Sequence, residues 1–177
     1  MREKLINVDK MKECVKAPLA NTMKEEEAWR WYDIANCYSY AIGMFVDIDF
    51  LKPGEISKME LKRQYTDEDI LERVIGDLEA LGLETTISSL EEPIEDNDSW
   101  KIAIMNTGPK DIHELYDYHF LKQGKNMLWY HKRPYEQFPS NYDSRHRAID
   151  NPETATFAFS YHLVAYLVVR LQDKSTN

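Results

Sequence analysis

The sequence predicts an α+β protein, in which helices come first and antiparallel strands follow. Helical apolar patterns occupy the first half of the chain, at 36–45 and 66–82, whereas patterns typical of strands begin near residue 99. With 177 residues and 43% hydrophobic content, the chain is long enough for one core and short for two. We therefore expect a single domain over 1–177, made of a helical lead-in at 1–35 and a core at 36–177.

The charge of the chain narrows the possible partners. A formal net charge of -9 repels a phosphate backbone, and the longest basic run is "HKRP". No apolar run approaches the roughly 18 residues that a membrane span requires, and the N-terminal segment is too charged for a secretory signal. We expect a cytoplasmic protein with no nucleic-acid or membrane partner, whose two cysteines, Cys14 and Cys37, stay reduced.

The first helical pattern begins at a cysteine. Asn36 stands where an N-cap is expected, and the helix should stop before Pro53 and Gly54. The apolar residues that follow the cap have the spacing of one buried helical face: Cys37, Tyr40, Ala41, Met44 and Phe45.

A second helix is the clearest element in the sequence. Thr66 and Asp69 match a capping box, and Gly82 matches a C-terminal stop. Its apolar stripe consists of Ile70, Leu71, Val74, Ile75, Leu78 and Leu81.

The strand patterns follow an acidic loop. "WKIAIMN" is a short apolar strand, and "LYDYHFLKQ" and "NMLWYHK" form a hairpin around a glycine-containing connection. Residues 135–152 have the composition of a long loop. The last segment, "TFAFSYHLVAYLVV", alternates in period two from Phe157 and predicts a core strand.

Cys37 is placed to act as a nucleophile. A thiol in the first turn of a helix is close to free N–H groups and to the positive end of the helix dipole, which lowers its pKa. The alternative is that Cys37 is a small apolar residue of the core, as buried free cysteines commonly are.

The hairpin can place two histidines side by side, depending on its register. A three-residue connection over 124–126 places His119 opposite His131 on one face, whereas a four-residue connection separates them onto different faces. Cysteine chemistry requires a base for the thiol proton and a third polar group that orients the base. Cys37, His119 and His131 can fill these roles in order, with the Cys37 N–H contributing to an oxyanion hole. Both histidines can instead be structural.

These residues resemble a known group of enzymes. "NCYSYA", the "PG" after it, "DYHFLKQGKNMLWYHK" and "IDNP" are similar to the papain-like cysteine peptidase superfamily, on the side of its NlpC-type branch. More narrowly, they resemble bacterial and phage proteins with Cys-Tyr-x-Tyr-Ala, Asp-Tyr-His-aromatic and Trp-x-His-Lys segments. The resemblance covers about residues 36–54 and 116–152. It implies a papain-like fold in which 36–177 is the catalytic core and the cysteine helix packs on an antiparallel sheet.

The resemblance also implies an activity. Cys37 would be the nucleophile, His119 the general base and His131 the orienting residue of a hydrolase that cleaves a peptide or other amide bond without a cofactor. The chain departs from the family because "HKRP" lacks the usual glycine after His-Lys. It also lacks a secretion signal, which weakens the case for a cell-wall peptide, so we expect an intracellular amide substrate at least as much.

Three alternatives are also compatible with the sequence. A thiol acyltransferase would use the same site, and a non-catalytic binding or inhibitor protein, for example one carried by a phage, would keep the fold alone. A zinc ion held by the three site residues and Asp117 is a further alternative. It lacks the close ligand pairs that structural zinc sites usually show, so we expect no metal.

Overall fold

A computed structural model of the protein describes residues 6–15, 35–44, 50–94, 96–134, 136 and 138–172. Within these ranges the helices are α1 (Val8–Cys14), α2 (Cys37–Ala41) and α3 (Asp67–Ala80). The strands are β1 (Leu83–Ser88), β2 (Ser99–Asn106), β3 (Tyr118–Gln123), β4 (Trp129–Tyr130) and β5 (His162–Leu171). Most of the predicted lead-in at 1–35 lies outside the described residues.

The five strands form one antiparallel sheet in the order β1-β5-β2-β3-β4. One face carries a core that includes Ile104 and Phe120 and is packed against the helices. The other face carries a second core around Leu121 and Trp129, packed against the irregular segments that surround β4 and precede β5. The α+β class with an antiparallel sheet is therefore confirmed. No helix among the described residues is long and apolar enough to cross a membrane.

Both predicted helix starts are confirmed, but the first helix is short. Thr66 and Asp69 form the capping box of α3, and Gly82 beyond its end has a φ of 75°, which glycine adopts without strain. Helix α2 ends at Ala41, well before the stop predicted at Pro53 and Gly54, because Gly43 takes a left-handed φ of 70°. Met44 is buried without being helical, and Phe45 lies outside the described residues.

The strand predictions are confirmed in part. The "WKIAIMN" and "YHFLKQ" segments are strands, and the described residues of 135–152 form only isolated bridges. The last strand begins at His162 rather than at Phe157, because the chain bends at 158–159 and turns its aromatic side chains toward the sheet. Strand β1 was not predicted.

Candidate active site

Asn36 fixes the start of α2 and with it the position of Cys37. Its side chain accepts from the Ser39 N–H at 3.0 Å, Ser39 Oγ accepts from the Asn36 N–H at 3.1 Å, and Asn36 Nδ2 donates to the Leu51 carbonyl at 2.7 Å. The cap therefore ties the helix start to a distant segment as well as to its own first turn. Cys37 is a free thiol and is 7% exposed.

The thiol lies at the outer edge of β3. Thr107 donates its N–H to the Asp117 carbonyl at 3.0 Å, and antiparallel pairs alternate along β2 and β3. The pair formed by Phe120 and Ile104 is then one in which the Phe120 N–H points away from β2. This N–H interacts with the Cys37 sulfur, so the thiol meets the histidine strand one residue beyond His119.

The hairpin register differs from both alternatives considered from the sequence. Strands β3 and β4 pair Lys122 with Tyr130, so the connection is the longer segment 124–128 and not a loop of three or four residues. The longer loop closes through Gly124 N–H to the Leu128 carbonyl at 2.8 Å, with Met127 in a left-handed conformation. Extended to His131, this register sets it across from Leu121 rather than His119. Because the shift is two residues, both imidazoles still share a face.

The two histidines form a directional relay. His119 Nε2 lies 2.8 Å from His131 Nδ1, and His131 Nε2 lies 3.0 Å from the Tyr142 carbonyl oxygen. A carbonyl only accepts, so His131 Nε2 carries the proton. Burial lowers the pKa of His131, whose neutral ring then accepts at Nδ1. His119 must therefore donate from Nε2, which leaves its Nδ1 as an unprotonated lone pair.

Burial keeps both His119 and Cys37 neutral. Burial, with smaller contributions from His131 and Arg133, lowers the pKa of His119 to about 3. Burial raises the pKa of the Cys37 thiol to about 12, against the stabilising Phe120 N–H. The predicted lowering of the Cys37 pKa is wrong for this state, because α2 offers only a short run of aligned dipoles and desolvation outweighs them. The resting groups are a thiol and a neutral imidazole.

Aromatic rings enclose the relay. Phe157 lies against both imidazoles, with ring centroids 5.6 Å from His119 and 5.7 Å from His131. Tyr161 stacks on His119 at 5.7 Å and donates its hydroxyl to Asp117. Sequence reasoning missed these two residues as parts of the site because their alternation matched a strand. Asp117 bonds Tyr161 and makes no hydrogen bond to His119.

The structure thus brings His119 and His131 into direct contact and places Cys37 beside the next peptide of the same strand. Among the described residues, no hydrogen bond joins the Cys37 thiol to either imidazole, and His119 Nδ1 has no hydrogen-bond partner. No three His, Cys, Asp or Glu side chains in the described ranges are grouped so that they could hold a metal ion.

No protein-family model matches this chain, and neither the curated proteins nor the solved structures contain a match.

Proposed function

We propose that this protein is a cysteine-dependent hydrolase that cleaves a peptide or other amide bond. Cys37 is the nucleophile, His119 the general base and His131 the residue that orients the base. The observation that carries the proposal is the directional relay from His119 to the Tyr142 carbonyl. It leaves one unprotonated lone pair, on His119 Nδ1, on the strand whose edge lies beside the thiol.

The first half of the reaction begins from neutral groups. Cys37 Sγ attacks the substrate carbonyl carbon while its proton passes to His119 Nδ1. The imidazolium that forms donates through Nε2 to His131, which is held in turn by the Tyr142 carbonyl. The oxyanion accepts from the Cys37 N–H. When the C–N bond breaks, the amine takes the proton from Nδ1 and a thioacyl enzyme remains.

The second half restores the enzyme. Water attacks the thioester carbonyl and gives a proton to His119 Nδ1, and the collapse of the tetrahedral intermediate expels the Cys37 sulfur, which recovers that proton. The product is a carboxylic acid. An amine or alcohol in place of water would make the protein an acyltransferase with the same residues.

A second candidate is a non-catalytic binding protein of the same fold, which a particular observation favours. Cys37 is buried, and its pKa is raised to about 12, which is the environment of a structural thiol. The two candidates differ in what His119 does to the thiol, and this can be measured without knowing the substrate.

The test is the rate of Cys37 alkylation by iodoacetamide as a function of pH, located by mass spectrometry. A base that is deprotonated above about pH 3, beside a thiol whose pKa is about 12, predicts an assisted rate that is nearly flat from acid to neutral pH. At alkaline pH the unassisted reaction of the thiolate adds a rising component. His119→Ala should slow the reaction at neutral pH by about 100-fold and make it rise about tenfold per pH unit, as for an unassisted thiol. His113→Ala, an exposed histidine, is the matched control.

A wild-type rate that already rises about tenfold per pH unit and does not respond to His119→Ala would favour the binding protein. If the base assists, 4-nitrophenyl acetate should acetylate Cys37. Release of the acetyl group to water identifies a hydrolase, whereas release only to an added amine identifies an acyltransferase.

A further inference from the structure

Lys132 links the two halves of the site through a buried side chain. It follows His131 in sequence and is 1% exposed. Its Nζ donates to the Ala35 carbonyl at 2.9 Å and to the Arg133 carbonyl at 3.0 Å. Ala35 lies two residues before Cys37, so Lys132 is bonded to the segment that precedes the nucleophile. A buried amino group is costly unless it is hydrogen-bonded, so these bonds hold the side chain in place.

The chain leaves strand β3 at His131, and this places Lys132 between the two parts of the site. The ladder between β3 and β4 contains only two pairs and ends at Tyr130, and His131 bridges to Ser140 instead. His131 therefore departs from β3 near the point where the Cys37 thiol lies against the Phe120 N–H. Alternation along the extended chain directs the side chains of His131 and Lys132 to opposite sides. His131 joins the relay, while Lys132 reaches the Cys37 segment.

We infer that Lys132 is a positioning residue that sets the separation between the Cys37 thiol and the relay of His119 and His131. The inference rests on the proposed function. The thiol is held from one side by the Asn36 cap, and the relay is held from the other by Ser140 and Tyr142. Lys132 bonds one side to the other. A displacement of about 1 Å between reacting groups can reduce a rate by about 100-fold, so this bond is expected to affect reactivity.

The experiment compares four full-length chains: wild type, Lys132→Met, Lys132→Arg and the matched control Lys125→Met, an exposed lysine in the hairpin connection. For each we measure the pH dependence of Cys37 alkylation, the thermal unfolding temperature and the ¹⁵N chemical shifts of the imidazoles. Lys132→Met should lose about 10- to 100-fold in rate at neutral pH and acquire the rising profile of an unassisted thiol. Its histidine shifts should stay unchanged, because Ser140 and Tyr142 still hold the relay. Lys132→Arg should recover the flat profile.

A Lys132→Met variant that keeps the flat profile overturns the inference, even if its unfolding temperature falls, because a purely structural lysine affects stability alone. If Lys132→Met does not fold, Lys132→Gln replaces it. The glutamine side chain is one atom shorter and does not reach the Ala35 carbonyl, so the same loss of rate is expected. A flat profile in this variant would also overturn the inference. His119→Ala distinguishes the two proposals. If it leaves the profile flat, the proposed function fails. If it abolishes the plateau and Lys132→Met does not, only the role of Lys132 fails.

Discussion

At the scale of single residues, His131, the third residue of the proposed site, determines the protonation state in which His119 rests. A carboxylate beside His119 would favour a protonated imidazole, whereas a neutral histidine does not. The Tyr142 carbonyl at the end of the relay accepts from His131 and so fixes the tautomer of both rings. In the proposed mechanism, the relay therefore holds His119 as a neutral base while Cys37 remains a protonated thiol, so the two do not form a resting ion pair.

Replacing His131 tests this arrangement directly. His131→Phe removes the acceptor for His119 Nε2–H within an apolar pocket, so the base loses the bond that selects its tautomer. We expect the flat region of the Cys37 alkylation profile to fall by about 100-fold, near the lower end of a general-base contribution. The ¹⁵N shifts of His119 should also show a mixture of tautomers.

His131→Asn provides the comparison for His131→Phe, because its side-chain oxygen can still accept from Nε2–H. It should retain part of the rate that His131→Phe loses. His113→Phe, at an exposed position, controls for the general effect of replacing a histidine with an aromatic ring. Equal rates in His131→Phe and wild type would mean that His131 does not orient the base.

At the scale of secondary-structure elements, the helix caps could be predicted from the sequence, whereas the bend before β5 and the hairpin register could not. Asn36 and Thr66 cap helices as predicted, because a cap depends on residues within one turn. The bend before β5 was not foreseen, since alternation from Phe157 onward fits a strand equally well. The hairpin register also escaped prediction, because Met127 adopts a positive φ of 66° that few non-glycine residues take.

Helix α3 supports the site through a buried carboxylate. Asp77 accepts at 2.7 Å from the Tyr38 hydroxyl, the Gly54 N–H, and both the N–H and the hydroxyl of Ser57. Asp77→Asn removes the charge and presents an amide donor to groups that are themselves donors. We expect the free energy of unfolding to fall by about 2–4 kcal/mol, measured by urea denaturation.

Glu79→Gln is the matched control for Asp77→Asn, because Glu79 is exposed on the same helix. It should change the unfolding free energy by less than about 0.5 kcal/mol. Since Tyr38 follows Cys37, Asp77→Asn should also alter the alkylation rate of Cys37. An Asp77→Asn variant as stable as wild type would show that the carboxylate is not needed to satisfy these four donors.

At the scale of the whole molecule, the α+β class followed from the order of helical and strand patterns, but the strand order did not. Strand β1 pairs with β5 across more than 75 intervening residues, from Ser88 with Tyr166 to Leu83 with Leu171. It is an edge strand with largely exposed side chains, so its sequence lacks the apolar alternation by which a strand is recognised. The sheet also places a buried ionisable group on each face, His119 on one and Lys122 on the other.

We expect Lys122 to make the stability of the protein depend on pH. Its side chain is fully buried, lies 5.3 Å from the Trp100 ring centroid and has no hydrogen-bond partner among the described residues. Burial lowers its pKa from 10.5 to about 7. Between these values the unfolded chain holds a proton that the folded chain lacks, so stability should rise with pH by up to about 1.4 kcal/mol per unit.

Lys122→Met should remove this dependence. At about pH 7 and below, the variant should be more stable than wild type by about 1–4 kcal/mol, because an apolar side chain replaces a buried charge. The gain should shrink toward zero as the pH rises above 10.5, where lysine becomes neutral in both states. Urea denaturation at several pH values measures it, with Lys125→Met as the exposed control. A constant difference from neutral to alkaline pH would mean that Lys122 keeps its charge in the folded protein throughout this range.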